Sequence, residues 1–236
     1  MNREPADIAT SSDAYAARFA GPIGAWLLGV QEKLALRALR AADARSVLDV
    51  GGGHGQLARP LSRDGFEVTV LGSAPVCAHR IQDLVDAQRC RFIAGDVLRQ
   101  PFPDRSFDSV VCVRLVMHCD EWPTLIAELC RVARRTVVID YPLQAGLNAL
   151  APFLFSAKRK LEQNTRTWRN FRHAELASEF ARHGYGISSR QGQFLWPMVL
   201  HRALKTPALS AALEAATLGL NRRFGSPVVA AFTRRA

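Results

Sequence analysis

The segment over residues 47–55, VLDVGGGHG, constrains the fold of this chain more than any other stretch. Its first half is apolar, as in a buried strand, and Asp49 lies near the end of that strand. Gly51, Gly53 and Gly55 follow at alternate positions, and residues without a Cβ permit a sharp turn and let a ligand lie against bare backbone. The helix expected next would point free N–H groups at the same ligand. The pattern predicts a strand, a ligand-binding turn and a helix.

The acid in this segment narrows the choice of ligand. A glycine cluster alone is a weak signal, because many turns need glycine for structural reasons. Asp49 lies two residues before the first glycine and puts a negative charge where a pyrophosphate-binding loop would have none. A ligand that carries a cationic group suits that charge. We therefore predict a nucleoside-type cofactor site rather than a purely structural turn.

Strand-like runs alternate with helical runs along the chain, which is typical of a parallel sheet with crossover helices. The predicted strands are 46–50, 66–71, 91–94, 109–113, 136–140, 187–196 and 228–233, and the predicted helices are 56–63, 75–87 and 122–134. Right-handed crossovers bring the carboxyl ends of the parallel strands to one edge, where ligands bind. We expect an α/β fold with a Rossmann-like, doubly wound, mostly parallel seven-stranded sheet.

The 236 residues suffice for one well-buried domain and hardly for two. We expect a single domain with an N-terminal helical cap (1–45), a cofactor-binding core (46–141) and substrate-side insertions with the last strands (142–236). The cap should be a helix over 13–42, interrupted near Gly21 because proline follows it. Helical insertions are expected at 144–172 and 199–224.

Aromatic and polar side chains near the expected ligand edge are candidates for binding a substrate. Tyr15 and Phe19, with Trp26 further along, have spacings that could place them on one face of the cap, although core packing would use the same residues. Tyr141 follows the fifth strand, and Arg166 lies in the first insertion. We treat Tyr15, Phe19, Tyr141 and Arg166 as the substrate-binding candidates.

Composition excludes several classes of protein. Hydrophobic residues make up 48% and charged residues 22%, as in soluble globular proteins. The chain has no apolar run of about 18 residues, which a membrane-spanning helix needs. Residues 1–9 lack the apolar stretch of a secretory signal, so we expect a cytoplasmic protein. The five cysteines form no Cys-x-x-Cys pair, which favours free thiols and no metal site.

The formal net charge of +10 raises the question of a nucleic-acid partner. Arginine outnumbers lysine 27 to 4 and is spread along the whole chain, which argues against one dedicated surface. One basic cluster stands out, comprising Lys158, Arg159, Lys160, Arg166, Arg169 and Arg172. It could meet phosphates or an anionic membrane, but a solvated helix face is the favoured interpretation.

Four motifs together resemble the class I S-adenosylmethionine-dependent methyltransferases of the type 11 methyltransferase domain group. They are Asp49-x-Gly51-x-Gly53-x-Gly55, the segment AGDV at 94–97, the approach PFPDRSFD at 101–108 and the helix segment ELCRV at 128–132. The resemblance covers about residues 46–140 and implies S-adenosyl-L-methionine as the cofactor. It implies that Asp49 helps to hold the methionine amino group and that Asp96 takes the adenine amino group. The loop over 114–118 would lie beside the sulfonium.

The cofactor-binding residues that the resemblance implies are Asp49, Gly51, Gly52, Gly53, Gly55, Gly72, Ser73, Asp96, Val97 and Arg114. One position departs from the family pattern. The second strand of these enzymes usually ends in an acid that accepts both ribose hydroxyls, whereas this chain has Gly72 followed by Ser73. The Ser73 hydroxyl or backbone groups could replace part of that contact, since a hydrogen bond contributes only about 0.5–1.5 kcal/mol net. The glycine-rich turn common before the fifth strand is also absent.

The implied reaction asks little of acid–base groups, because the transferred methyl group is already electrophilic. Orientation and a dry pocket matter most, with a base to take the proton of the nucleophile in some cases. His118 is the candidate catalytic base, since imidazole titrates near neutrality, and ordinary packing is the alternative for this residue. The leading hypothesis is methyl transfer to a small, partly apolar acceptor, at a phenolic or quinone-like oxygen or carbon.

Three other functions stay open at this point. Gly53-x-Gly55-x-x-Ala58 also fits a dinucleotide fingerprint, so an NAD(P)-dependent oxidoreductase is one alternative, although Asp49 opposes it. A catalytically inactive methyltransferase-like binding module is another, suggested by the missing ribose acid. Methylation of a nucleic acid is a lesser option that depends on the basic cluster.

Overall fold

The computed structural model describes residues 6–144 and 169–235. The strands are β1 Ser46–Val50, β2 Glu67–Gly72, β3 Arg91–Ala94, β4 Phe107–Cys112, β5 Ala133–Tyr141, β6 Tyr185–Gly192 and β7 Val228–Arg234. The α-helices are α1 Ala6–Thr10, α2 Asp13–Ala17, α3 Gly21–Ala41, α4 Ala58–Arg63, α5 Gln82–Asp86, α6 Trp122–Val132, α7 His173–Arg182, α8 Met198–Leu204, α9 Pro207–Ala215 and α10 Leu220–Phe224. Short 3-10 helices lie at Gly52–His54, Pro75–Ile81 and Val116–His118.

The seven strands form one sheet in the order β3-β2-β1-β4-β5-β7-β6. The first five strands in that order run parallel, and β7 runs antiparallel to both β5 and β6. The register pairs Asp49 of β1 with Val70 of β2 and with Val111 of β4. The carboxyl ends of the parallel strands therefore meet at one edge, and the predicted mostly parallel, doubly wound sheet is confirmed.

Side chains alternate between the two faces of the sheet, and each face has its own core. Leu48 and Val50 join the core that includes residues of α6 and α7, whereas Val47 joins the core that includes residues of α3 and α4. Asp49 shares the face of Val47 by the same alternation. A carboxylate thus lies on an otherwise apolar face, which the packing of a core does not require.

Six predicted strands agree with the observed bounds to within three residues at each end. The strand predicted over 187–196 runs instead from Tyr185 to Gly192, because the backbone of Gly225, next to α10, lies so close to Gly192 that a Cβ would overlap it. The helix predicted over 75–87 begins as a 3-10 helix, and only Gln82–Asp86 is α-helical. Both α1 and α7 were not predicted.

The N-terminal region is built as expected in one respect and not in another. The predicted interruption is present, since α2 ends at Ala17 and α3 begins at Gly21. The sequence had suggested that Trp26 shares a face with Tyr15 and Phe19, and this was wrong. Trp26 packs instead on Phe194, with ring centroids 5.2 Å apart, because α3 turns this position toward the segment after β6.

Several further expectations can be compared with the described residues. All five cysteines are free and buried. Among residues 6–144 and 169–235, no cluster of His, Cys, Asp and Glu is suited to a metal ion, and no helix has the length and apolar character to cross a membrane. Most of the predicted insertion at 144–172, including Arg166, Lys158, Arg159 and Lys160, lies outside the described residues.

Candidate functional site

The turn after β1 is shaped by its glycines in two ways. Gly51 and Gly55 have φ values of 74° and 78°, in the left-handed region that favours glycine. Gly52 is needed for space, because a Cβ at this position would overlap the Asp49 carboxylate. The turn therefore folds back over the acid, and the backbone around Gly52 comes as close to the carboxylate as atoms allow.

Asp49 itself is a buried acid without a described partner. Its side chain is 1% exposed, and neither carboxylate oxygen accepts a hydrogen bond from the described residues. Burial raises the pKa of Asp49 to about 7, against the opposing effect of the positive charge of Arg114. Burial of a carboxylate without hydrogen bonds lowers the free energy of unfolding. Its presence here therefore indicates a role in binding a ligand rather than in folding.

A polar network lies beside this acid at the ends of β4 and β5. The backbone N–H of Arg114 donates to Asp140 Oδ1 at 2.5 Å, and the Gln31 amide of α3 donates to the other Asp140 oxygen. Gln56 donates to Gln31 Oε1 at 2.8 Å. Burial raises the pKa of Asp140 to about 6, although the Arg114 N–H and charge oppose that shift. The network holds Arg114, which has φ 57°, at the mouth of the sheet edge.

The segment over residues 6–19, which contains α1 and α2 and which we call the N-terminal strap, covers this edge. The Arg114 guanidinium lies over the ring of Phe19 at 5.0 Å and over the ring of Tyr15 at 5.5 Å. His54 Nδ1 lies 3.2 Å from the Thr10 carbonyl oxygen. Burial and two nearby arginines lower the pKa of His54 to about 4, so its ring is neutral at pH 7. Tyr15 and Phe19 therefore lie beside Arg114 and His54, and their role in binding a substrate stays a prediction.

The strap also reaches the end of β2. Asp7 of α1 is fully buried, and its Oδ2 accepts a hydrogen bond from the Ser73 N–H at 2.6 Å. Its Oδ1 accepts the Ser73 hydroxyl. Sequence reasoning missed Asp7, since no local pattern marks it. The available signal was the absence of an acid at Gly72, which implied that one might come from elsewhere.

The structure separates the two candidates that follow β3. Asp96 is half-buried and its Oδ1 accepts the Leu98 N–H at 2.9 Å, so it lies at the edge just after β3. The Val97 side chain is fully buried in the core on the α6 face. Only the backbone of Val97 is left to contact a ligand at the edge.

The cavity beside Asp49 is nearly closed. Its volume is about 10 Å³, and it is lined by Thr10, Asp49, Gly51, Gly52, His54, Gln56, Leu57, Val113 and Arg114. Cofactor pockets hold about 300–1,000 Å³. A nucleoside cofactor therefore does not fit in this cavity as it stands, and side chains that line it have to shift when the cofactor binds.

The remaining candidates lie near the same edge but not in that cavity. His118 is half-buried on the 3-10 helix after β4, and its backbone N–H donates to the Leu115 carbonyl at 2.8 Å. Tyr141 is 1% exposed, and its hydroxyl lies 2.7 Å from His173 Nδ1. A larger cavity of about 500 Å³ adjoins this pair and is lined by Leu143, Gln144, Arg172, His173, Arg190, Arg223 and Phe224.

The described residues fit the cofactor that the motifs imply. An ammonium group would satisfy the orphaned oxygens of Asp49, and the turn at Gly52 leaves bare backbone beside it. A pyrophosphate would be repelled by the same carboxylate. The fit is thus to a ligand with a cationic end and is poor for a dinucleotide.

Comparisons with known proteins agree with this geometry. Residues 48–139 match the family described as a methyltransferase domain. A demethylmenaquinone methyltransferase of Deinococcus radiodurans is 33% identical over 113 residues, which are 45% of this chain and 47% of that protein. The matched part is thus about half the length of this relative. A demethylmenaquinone methyltransferase of Beutenbergia cavernae is 28% identical over 233 residues, which are 87% of this chain and 93% of that protein.

A solved structure extends the likeness to almost the whole fold. Magnesium protoporphyrin IX methyltransferase from Synechocystis, solved with bound S-adenosylhomocysteine, superposes with a TM-score of 0.66 at 16% identity. The superposition covers 97% of this chain and 98% of that one. At this identity the likeness concerns the fold.

Proposed function

We propose that this chain is a class I S-adenosylmethionine-dependent methyltransferase, with S-adenosylmethionine as the cofactor, and that it methylates a small, partly apolar acceptor at oxygen or carbon. The observation that carries the proposal is the buried, unpartnered carboxylate of Asp49 beside a glycine turn. The amino group of the methionine moiety, when bound there, would donate hydrogen bonds to the Asp49 carboxylate.

The residues around Asp49 have separate proposed roles. When bound, S-adenosylmethionine supplies a methyl group on a sulfonium that leaves as a neutral thioether. Asp49 binds the amino group, and the backbone at Gly51 and Gly53 follows the rest of the ligand. Tyr15 and Phe19, which lie on the strap, exclude water when the strap closes, and a dry pocket favours transfer. His118 is the proposed base for an acceptor that must lose a proton.

The acceptor class is inferred from the surroundings of the site and from the relatives. Tyr15 and Phe19 put aromatic rings at the edge of the sheet, where the Arg114 guanidinium lies over both of them. Two relatives are named for a quinone-type acceptor. The larger cavity beyond β5 is wide enough for a ring system of that size and also lies at this edge. A phenolic or quinone-like ring is the acceptor that we propose.

Calorimetric titration with S-adenosylhomocysteine and with NADPH tests the cofactor. Binding of the first and not of the second is expected, and the reverse would overturn the proposal in favour of an oxidoreductase. Incubation with S-adenosylmethionine and a panel of phenols and demethylated quinones, read by mass spectrometry, tests the reaction. A gain of one methyl group on an acceptor is expected, whereas cofactor binding without any methylated product would identify an inactive binding module.

A further inference from the structure

The sheet order arranges four carboxylates along the ligand edge. Asp96 follows β3, Asp7 lies against the end of β2, Asp49 is in β1 and Asp140 is the last residue but one of β5. Asp140 already accepts hydrogen bonds on both oxygens. On one side of Asp49 lies the buried Arg114, which follows β4, and on the other side lie the ends of β2 and β3. The remainder of a ligand whose cationic end lies at Asp49 therefore lies over the ends of β2 and β3.

The chain cannot place its own acid at the last position of β2. A Cβ at Gly72 would lie 2.7 Å from the Cβ of Cys77 and 3.0 Å from the ring of Phe92. The Cys77 Cβ is fixed to its backbone, so a side chain at this position would force the segment at Cys77 to shift. A carboxylate at this point of the edge has to come from another element.

Asp7 supplies one, and its surroundings hold it firmly. The Ser73 N–H donates to Oδ2 at 2.6 Å, and the Cys77 thiol lies 3.5 Å from the same oxygen. The hydroxyls of Thr10 and Ser11 both donate to the Asp7 carbonyl, at 3.1 and 2.7 Å, and so fix the turn of α1 that carries the acid. A fully buried carboxylate with this support has a defined position at the edge.

We propose that Asp7 accepts the ribose hydroxyls of the nucleoside cofactor, in place of an acid on β2. This inference rests on the proposed function. A carboxylate offers about four acceptor sites, and its bonds to hydroxyls are charge-assisted. The backbone N–H of Ser73 keeps Asp7 in position, while the Ser73 hydroxyl and the Cys77 thiol occupy sites that two ligand hydroxyls can take. Asp7 lies on the strap, so binding of the ribose by Asp7 is coupled to closure of the strap over the cofactor.

The test compares S-adenosylhomocysteine with its 2′-deoxy analogue by calorimetric titration of the full chain. Loss of the hydroxyl should weaken binding to the unaltered protein about 10- to 100-fold, as expected for a bond to a charged group. Asp7→Asn should weaken binding of S-adenosylhomocysteine by a similar factor and should bind both ligands almost equally. Asp13→Asn is the matched control, since Asp13 lies on the same strap but is exposed and pairs with Arg80. It should behave as the unaltered protein does.

Three results would overturn the inference. Equal sensitivity to the 2′-hydroxyl in Asp7→Asn and in the unaltered protein would make Asp7 a structural residue only. Tighter binding of S-adenosylhomocysteine by Asp7→Asn would show that α1 occupies the cofactor site and competes with the cofactor. Failure of the unaltered protein to bind S-adenosylhomocysteine would remove the proposed function as well. If Asp7→Asn does not fold, Ser73→Ala is the second variant. It frees an Asp7 oxygen and should therefore increase the loss of affinity caused by removing the 2′-hydroxyl of the ligand. A smaller loss than in the unaltered protein would contradict the inference.

Discussion

The ends of β1 and β2 are neighbours in the sheet but are built from different parts of the chain. At β1 the acid and the turn that covers it are local, because Asp49 and Gly52 are three residues apart. At β2 the acid is Asp7, 66 residues before the serine that it binds. The first arrangement persists as long as the sheet is intact. The second exists only while the strap is closed. We therefore call the end of β1, with Asp49, the permanent end of the site, and the end of β2, with Asp7 and the strap, the conditional end.

The largest effect that this comparison predicts is at the permanent end. Asp49→Asn should weaken S-adenosylhomocysteine binding about 100-fold or more, because the ligand's ammonium would lose its buried counter-charge. The same variant should raise Tm at pH 8, where the buried carboxylate of the unaltered protein is ionised at a cost, by at least about 2 °C. Calorimetric titration and thermal unfolding measure the two effects. Loss of both binding and stability would instead mark Asp49 as a folding residue.

A somewhat smaller effect is expected from crowding the same turn. Gly52→Ala places a methyl group on the Asp49 carboxylate and should weaken cofactor binding about 10- to 100-fold, by analogy with the cost of overpacking. Gly29→Ala is the control, since Gly29 lies in α3 with open space around its Cβ position and alanine favours helices. The control should bind normally. Equal behaviour of the two variants would show that the turn does not need to approach the acid so closely.

The titration of Asp49 should make binding depend on pH. Its pKa is raised to about 7 by burial, so a bound cation must displace a proton below that value, and affinity should fall up to about tenfold per pH unit from pH 7 to 5.5. The pKa of Asp49 is higher in the folded chain than in the unfolded chain, so the contribution of this group to the free energy of unfolding falls as pH rises from 4 to 7. Asp140, with a pKa raised to about 6, also titrates in this window. Asp49→Asn should remove only the part of the pH dependence of binding that is due to Asp49. If the variant bound with the same pH dependence as the unaltered protein, Asp49 would not be the acid that binds the cation.

The smallest effect concerns the conditional end. Phe19→Ala removes one of the two rings that cover Arg114 and should weaken cofactor binding about two- to fivefold, the range of a partly exposed cation–π contact. Leu218→Ala serves as the control, because Leu218 is 93% exposed and lies in the turn between α9 and α10. A loss as large as that of Gly52→Ala would show that the strap contributes as much as the turn, and the distinction between the two ends would fail.

Much of the permanent end could be predicted from the sequence. The β1 strand, the turn over 51–55 and the role of Asp49 as an edge acid follow from hydrophobic pattern and residue type within nine positions. The seven strands followed from the same kind of pattern, with errors where tertiary contacts intervene, as at Gly192. The helix α7 was missed because it lies directly after the region interpreted as an insertion.

The conditional end could not be predicted, for a physical reason. A carboxylate such as Asp7 interacts through space, and nothing in the local sequence around residue 7 distinguishes it from any solvated acid. The Gln31–Asp140 hydrogen bond joins residues 109 positions apart and was invisible for the same reason. Periodicity reports which face of an element is apolar but not which polar groups from distant elements converge.

The sequence by itself determined the α/β class, the shared edge at the carboxyl ends of the parallel strands and the acid with its glycine turn, since these depend on local preferences and on the alternation of apolar residues. Only the tertiary structure decided which face Asp49 lies on, that Arg114 and the strap close the edge, and that Asp7 stands where Gly72 has no room for a side chain. Those outcomes depend on excluded volume and on hydrogen bonds between distant segments, which exist only once the chain is folded.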